Sequence, residues 1–119
     1  MIDVYDTDDI VDWIDSQLAS IGKYLPNKSA KLKNAWIVGS VAKGIKKRPH
    51  DVDIWAEVVP EPETSLNILS SALTGSDYQV STSQGRKALD VYITDRPPPS
   101  NYKAIPIYNA EQAAREDEE

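Results

Sequence analysis

At 119 residues, with 40% hydrophobic and 27% charged side chains, the chain has the size and balance of one soluble globular domain around a single core. The net charge of −6 argues against broad, non-specific binding of nucleic-acid duplexes, which needs a basic face, but allows a small anion held by a local cationic patch. The lack of cysteine excludes disulfides and thiolate metal sites, and a single histidine excludes imidazole clusters. Any metal must then be bound mainly through oxygen, which favours Mg²⁺ or Mn²⁺ over Zn²⁺.

The start, MIDVYDTDD, is acidic and has neither the basic nor the apolar region of a signal peptide. No run of about 18 apolar residues occurs, so no membrane association is expected and a cytoplasmic location is the default. Ile10, Val11, Ile14, Leu18 and Ile21 form one apolar stripe, predicting a helix over roughly residues 8–21. Asp6 or Thr7 is placed to cap it and Gly22 to end it. The segment LPNKSAKLKN reads as a polar connection. The short apolar run Ala35-Trp36-Ile37-Val38, stopped by Gly39, suits a buried strand, with a short helix over residues 40–44 and a loop over Ile45–His50 to follow.

From Val52 the alternation is plain. Val52, Ile54, Ala56 and Val58 share one face, Asp51, Asp53, Trp55 and Glu57 the other, and Pro60 and Pro62 end the strand. Thr64 or Ser65 caps a second helix bearing Leu66, Leu69 and Leu73, closed by Gly75. Tyr78–Thr82 and Ala88–Thr94 alternate on either side of Gln84-Gly85-Arg86-Lys87, predicting an antiparallel hairpin. Arg96-Pro97-Pro98-Pro99-Ser100 is a stiff connector rather than a polyproline ligand, after which Tyr102–Tyr108 is expected as an edge strand because of Pro106. NAEQAAREDEE is a short helical turn or a frayed acidic tail. The expected architecture is α/β (α+β), a small mixed β-sheet with helices packed on one face. It makes a single domain, with a core of about residues 8–95, a connector over 96–100 and an edge segment and acidic tail over 101–119.

The chemistry-bearing residues surround the basic run. A strand that ends in Gly39-Ser40 and opens a helix can turn backbone N–H groups toward an anion, although such a pair is also a plain turn. A Walker-type phosphate loop is excluded, because Gly44 is followed by Ile45 and Lys46 rather than by Lys and Ser/Thr. Asp51 and Asp53 point to one side of their strand. Either they share a divalent cation that offsets their repulsion, or they form a solvated strand start beside Lys46, Lys47 and Arg48. Asp90 lies mid-strand between Leu89 and Val91, where an acid is disfavoured. If its strand neighbours that of Asp53, three carboxylates can hold two Mg²⁺ ions about 4 Å apart, as in phosphoryl or nucleotidyl transfer. The alternative is an exposed acid on a solvated sheet face.

Taken together, Gly39-Ser40-Val41-Ala42-Lys43-Gly44, then Asp51-Val52-Asp53-Ile54, then Leu89-Asp90-Val91 resemble the DNA polymerase β-type nucleotidyltransferase superfamily. The small size is similar to its minimal nucleotidyltransferase members, the group that includes antitoxins paired with HEPN toxins. The resemblance covers roughly residues 35–95. It implies a nucleotidyltransferase fold with an NTP, ATP being the expected one, whose β- and γ-phosphates contact Gly39 and Ser40. It further implies that Asp51 and Asp53 ligate two Mg²⁺ (or Mn²⁺) ions, that Asp90 completes the catalytic one, and that Lys43 neutralises phosphate charge. The implied reaction is attack of an acceptor hydroxyl on the α-phosphate as pyrophosphate leaves. The acceptor is left open among a protein side chain, a nucleic-acid end and a small molecule.

The chain ends soon after the third carboxylate, so the helical domain of larger relatives is not expected, and a homodimer or a toxin-like partner chain would complete the pocket. A non-catalytic binding or regulatory module on the same fold is the rival reading, and a metal-dependent phosphohydrolase the third. Lys46, Lys47 and Arg48 read as a cationic loop, and His50, where the family often has serine, as a turn residue. Trp13, Trp36 and Trp55 read as packing groups. Trp55 alone, with Tyr92, shares the carboxylate face and is placed to flank a base. The Asn27-Lys28-Ser29 sequon has no meaning in a cytoplasmic chain.

Overall fold

The computed structural model describes residues 3–44, 51–74 and 77–117. The elements in chain order are α1 (Thr7–Tyr24), β1 (Ala30–Val38), α2 (Gly39–Lys43), β2 (Asp51–Pro60), α3 (Leu66–Leu73), β3 (Gln79–Thr82), β4 (Gly85–Thr94), β5 (Ile105–Asn109) and α4 (Ala110–Asp117). Alternation decides which side of each strand is buried. On β2, Val52, Ile54, Ala56 and Val58 are buried, and on β4 Leu89, Val91 and Ile93 are. The buried faces of α1 (Ile10, Val11, Ile14, Leu18) and α3 (Leu69, Leu73) join these residues in one cluster, so the long helices cover the same side of the sheet. No helix among the described residues is long and apolar enough to cross a membrane.

The strands form one mixed sheet in the order β3-β4-β2-β1-β5. β1 lies antiparallel to β2 and β5, and β3 antiparallel to β4, while β2 and β4 run parallel. A parallel neighbour cannot be reached by a hairpin, and the chain covers the distance with α3 and β3. β5 is a sheet edge, which accommodates Pro106.

Several boundaries differ from the sequence-based expectation. β1 starts at Ala30 rather than Ala35, because Ala30-Lys31-Leu32-Lys33 alternates between buried and exposed positions and so resembles a polar connection. α1 runs through Gly22 to Tyr24 and ends where the Leu25 N–H donates to the Ile21 carbonyl. Asp6 has a left-handed φ of 54° and makes no side-chain cap; its carbonyl instead accepts from the Asp9 N–H at 2.9 Å. Ser65 caps α3 as expected, through Oγ and the Ile68 N–H, and the helix stops at Leu73; the expected closing residue Gly75 lies outside the described residues. The edge strand begins at Ile105 rather than Tyr102, and the terminal acidic segment forms the helix α4. Glu57, on the face opposite Val52 and Ile54 by alternation, is also buried: Asn34 Nδ2 donates to its Oε1 at 2.9 Å and Lys33 Nζ lies 3.9 Å from Oε2.

β3 pairs with β4 only as far as Ala88, and among the described residues no strand flanks the outer edge of β4 beyond that point. Two hydroxyls one turn apart, those of Ser70 in α3 and of Thr74 just past its end, take a strand's place. Ser70 Oγ accepts from the Ile93 N–H at 2.8 Å, and Thr74 Oγ1 accepts from the Val91 N–H at 3.1 Å. An amide that loses such a partner at a half-buried edge costs about 1–3 kcal/mol. Ser70→Ala and Thr74→Val are each expected to destabilise the domain by about that amount in urea unfolding, with an unchanged m-value. A loss below a few tenths of a kcal/mol would show that water replaces the hydroxyls.

Candidate active site

The site begins where β1 stops. Val38 pairs with Asp53 across the sheet, so the turn after it lies directly beside that carboxylate. Gly39 has a φ of +69°, a conformation costly for any side chain, and a Cβ built on it would fall 2.2 Å from Asp53 Oδ2. Glycine is therefore required twice, by the backbone and by the acid that fills the space. Ser40 is half-buried at the first turn of α2, whose start no described side chain caps, and Lys43 is exposed at the end of that turn.

Parallel pairing supplies the rest. Asp53 is the register partner of Asp90, and Asp51 precedes Asp53 by two residues on the same face. Asp51 and Asp90 are exposed, whereas Asp53 is partly covered. Burial pushes the Asp53 carboxyl above the ordinary carboxylate value, and the charges of Asp90 and then Asp51 push it the same way. Thr74 Oγ1 lies 3.3 Å from Asp90 Oδ1 and 3.1 Å from the Val91 carbonyl, so its single proton can serve either. Among the described residues no three acidic or histidine side chains are drawn around one point at ligating distance. Strand register sets Asp53 beside Asp90, with Asp51 one same-face repeat before Asp53.

Gly39, Lys43, Asp53 and Asp90 line a cleft of about 700 Å³, and Asp51 lies outside its lining. Trp55 and Tyr92, each two residues beyond an acid, form its next row. Trp55 is held by its Nε1–H, which donates to the Arg96 carbonyl at 2.8 Å, and by edge-on contacts to Tyr92 (4.8 Å) and Tyr102 (5.7 Å). A larger groove of about 810 Å³ runs between α1, β1 and β5 past Trp36, but its ionisable lining is limited to Asp8, Asp12 and Tyr108. It offers no cation and no glycine turn, so the smaller cleft is the better chemical candidate. Trp13 packs as expected, stacked on Tyr78 at 4.6 Å.

Of the six residues singled out in the sequence, Gly39, Lys43, Asp53 and Asp90 thus line one cleft, and Ser40 and Asp51 lie outside its lining. Lys46, Lys47, Arg48 and His50 lie outside the described residues. Sequence reasoning missed Thr74, whose contact with Asp90 depends on where α3 packs, and Asn101, Tyr102 and Lys103, which line the cleft from beyond the proline run. The chain matches no protein-family model, no curated protein and no solved structure. Its chemistry rests on these residues themselves.

Gly39→Ala is expected to cost about 1–3 kcal/mol, part from the left-handed backbone and part from collision with Asp53. In an Asp53→Ala background the collision is relieved, so the cost should fall toward the roughly 1 kcal/mol of the backbone alone. Additive costs in that cycle would mean that the Asp53 carboxyl does not occupy the glycine's space.

The raised Asp53 value has a definite sign. A group whose folded value exceeds its unfolded one contributes stability below the unfolded value, about 3.9 for Asp, and loses it as pH rises through the folded value. Asp53→Asn is therefore expected to raise the melting temperature of the metal-free protein by a few degrees at pH 7 and to have little effect near about pH 3. A variant that melts below wild type at pH 7 would contradict the placement of Asp53 among repelling acids.

Proposed function

We propose that the cleft binds a nucleoside triphosphate, ATP in the first instance, and transfers its NMP group to a hydroxyl acceptor. The observation that carries this reading is the position of Asp53, between its register partner Asp90 and the side-chain-free turn at Gly39. That arrangement sets an acidic cluster against a turn able to approach an anion, with Lys43 on the cleft wall. It also fits the order of motifs that resembles the minimal nucleotidyltransferases, including those that act as antitoxins.

The donor set suits Mg²⁺ or Mn²⁺. It is made of carboxylate oxygen alone, and burial followed by the charges of Asp90 and Asp51 raises the proton affinity of Asp53, a strain that a cation would relieve. Asp51, Asp53 and Asp90 would hold the metal, which when bound neutralises triphosphate charge and lowers the pKa of an acceptor hydroxyl. The residues of the chain do the remainder. Gly39 and Ser40 lie against the β- and γ-phosphates, and Lys43 draws charge toward the leaving group. The acceptor oxygen forms its bond to the α-phosphorus, the bond to the bridging oxygen breaks, and pyrophosphate leaves. The hydroxyl proton passes to a carboxylate oxygen of the cluster. The acceptor is a protein side chain, a nucleic-acid end or a small molecule, and a second copy or a toxin-like partner would complete its binding surface.

One observation favours a second reading, a nucleotide-binding or regulatory module without catalysis: Asp51 lies outside the lining of the cleft that Asp53 and Asp90 share. The deciding experiment incubates the protein with α-³²P-labelled NTPs, Mg²⁺ or Mn²⁺ and a cell lysate, comparing wild type with Asp53→Asn. Label on an acceptor with wild type and background with the variant is the expected result. Equal labelling by both overturns the assignment of Asp53. No label, together with a calorimetric signal for Mg²⁺–ATP, establishes the binding module instead.

A further inference from the structure

The connection from β4 to β5 must cross two strands, because the sheet order places β2 and β1 between them. It crosses on the side of the carboxylates. The Arg96 carbonyl is fixed to the Trp55 indole N–H at 2.8 Å, and three prolines stiffen the next stretch of chain. A turn closes where the Tyr102 N–H donates to the Pro99 carbonyl at 2.9 Å, and this delivers the Tyr102 ring to Trp55. Asn101, Tyr102 and Lys103 thereby join Trp55 and Tyr92 in lining the cleft that contains Asp53 and Asp90.

We propose that this strap completes a nucleobase subsite, with Trp55, Tyr92 and Tyr102 as its aromatic wall. The inference rests on the NTP reading of the cleft and adds to it how the base is held. The spacing is suitable: Trp55 and Tyr92 follow the two acids by one same-face repeat, about 6.5–7 Å along the strands. A phosphorus beside the carboxylates therefore places the ribose over the repeat and the base against the rings. Tyr92 and Tyr102 stay 50% and 52% exposed although both touch Trp55, so aromatic surface remains for a further ring. The indole N–H is already spent on Arg96, so the wall recognises a ring by stacking and discriminates poorly between bases. The side-chain amide of Asn101, which both donates and accepts, is one lining group able to discriminate.

The test compares Mg²⁺–ATP with Mg²⁺–tripolyphosphate, which has the phosphates and no base, by titration calorimetry on wild type, Tyr102→Ala, Tyr102→Phe and Tyr92→Ala. Stacking on one ring is worth about 10-fold in affinity. Tyr102→Ala is expected to weaken ATP by about that factor and leave tripolyphosphate unchanged, while Tyr102→Phe keeps both. Tyr92→Ala examines the same wall from the sheet and should give the same split, whether or not the strap tolerates alanine. Equal weakening of both ligands, or no change in either, overturns the subsite while leaving the NTP reading intact. Wild type that binds tripolyphosphate as tightly as ATP also overturns it. Wild type that binds neither overturns both.

Discussion

The register between two parallel strands governs this molecule. β2 and β4 pair so that Asp53 stands opposite Asp90, and every feature of the site depends on that alignment. Two like charges at neighbouring positions oppose it. At about 4 Å their repulsion is roughly 1 kcal/mol in water and 4 kcal/mol near a protein surface. Against this stand the buried side chains of the opposite face. Val52, Ile54, Leu89, Val91 and Ile93 are all under 5% exposed, and each contributes about 1.5–3 kcal/mol by burial. The core therefore prevails several times over. A slip of one residue would turn Asp90 inward and Leu89 outward, so the hydrophobic pattern holds the acids in place with no attraction between them.

The same register explains why other groups are where they are. Among the described residues β3 flanks the outer side of β4 only up to Ala88, and the later amides on that side would lack partners without Ser70 and Thr74. Those hydroxyls tie α3 to the strand at the level of Asp90, so the helix that makes the parallel connection also positions the acid beside it. On the other flank, the pairing of Val38 with Asp53 sets the end of β1, and the space that Asp53 occupies dictates glycine at the next position. The turn, the acids and the helix are consequences of three strand alignments.

Much of this is legible in the residues, for a simple reason. Strands that bury one face must alternate, and Val52–Val58 and Leu89–Ile93 do so without interruption, which turns Asp51, Asp53 and Asp90 to the other side. Which strands become neighbours is not written in alternation. The adjacency of β2 and β4 enters the sequence reading only as a supposition, and the structure supplies it. Local pattern misleads at Ala30–Lys33, where lysines on the exposed face conceal a strand, and at Glu57, where alternation gives the face but not the Asn34 and Lys33 that cover it. The placement of Thr74 and Tyr102 has no local signal, since each depends on a distant segment folding back.

The distribution of exposure across the three acids decides what their clustering costs and how the proposed cation would offset it. Asp51 and Asp90 face water, which screens them, and only Asp53 is partly covered, so the cost of clustering is concentrated on one carboxyl. A cluster buried on all three members would need protons or a permanent cation to fold at neutral pH. A cluster exposed on all three would lose little by staying charged and gain little from a ligand. With one strained acid flanked by two solvated ones, the domain tolerates the cation-free state and would still have repulsion to relieve if the cleft took up the proposed cation. Since linkage is reciprocal, the burial and neighbouring charges that disfavour the ionised Asp53 carboxyl are the features that would favour the proposed cation there.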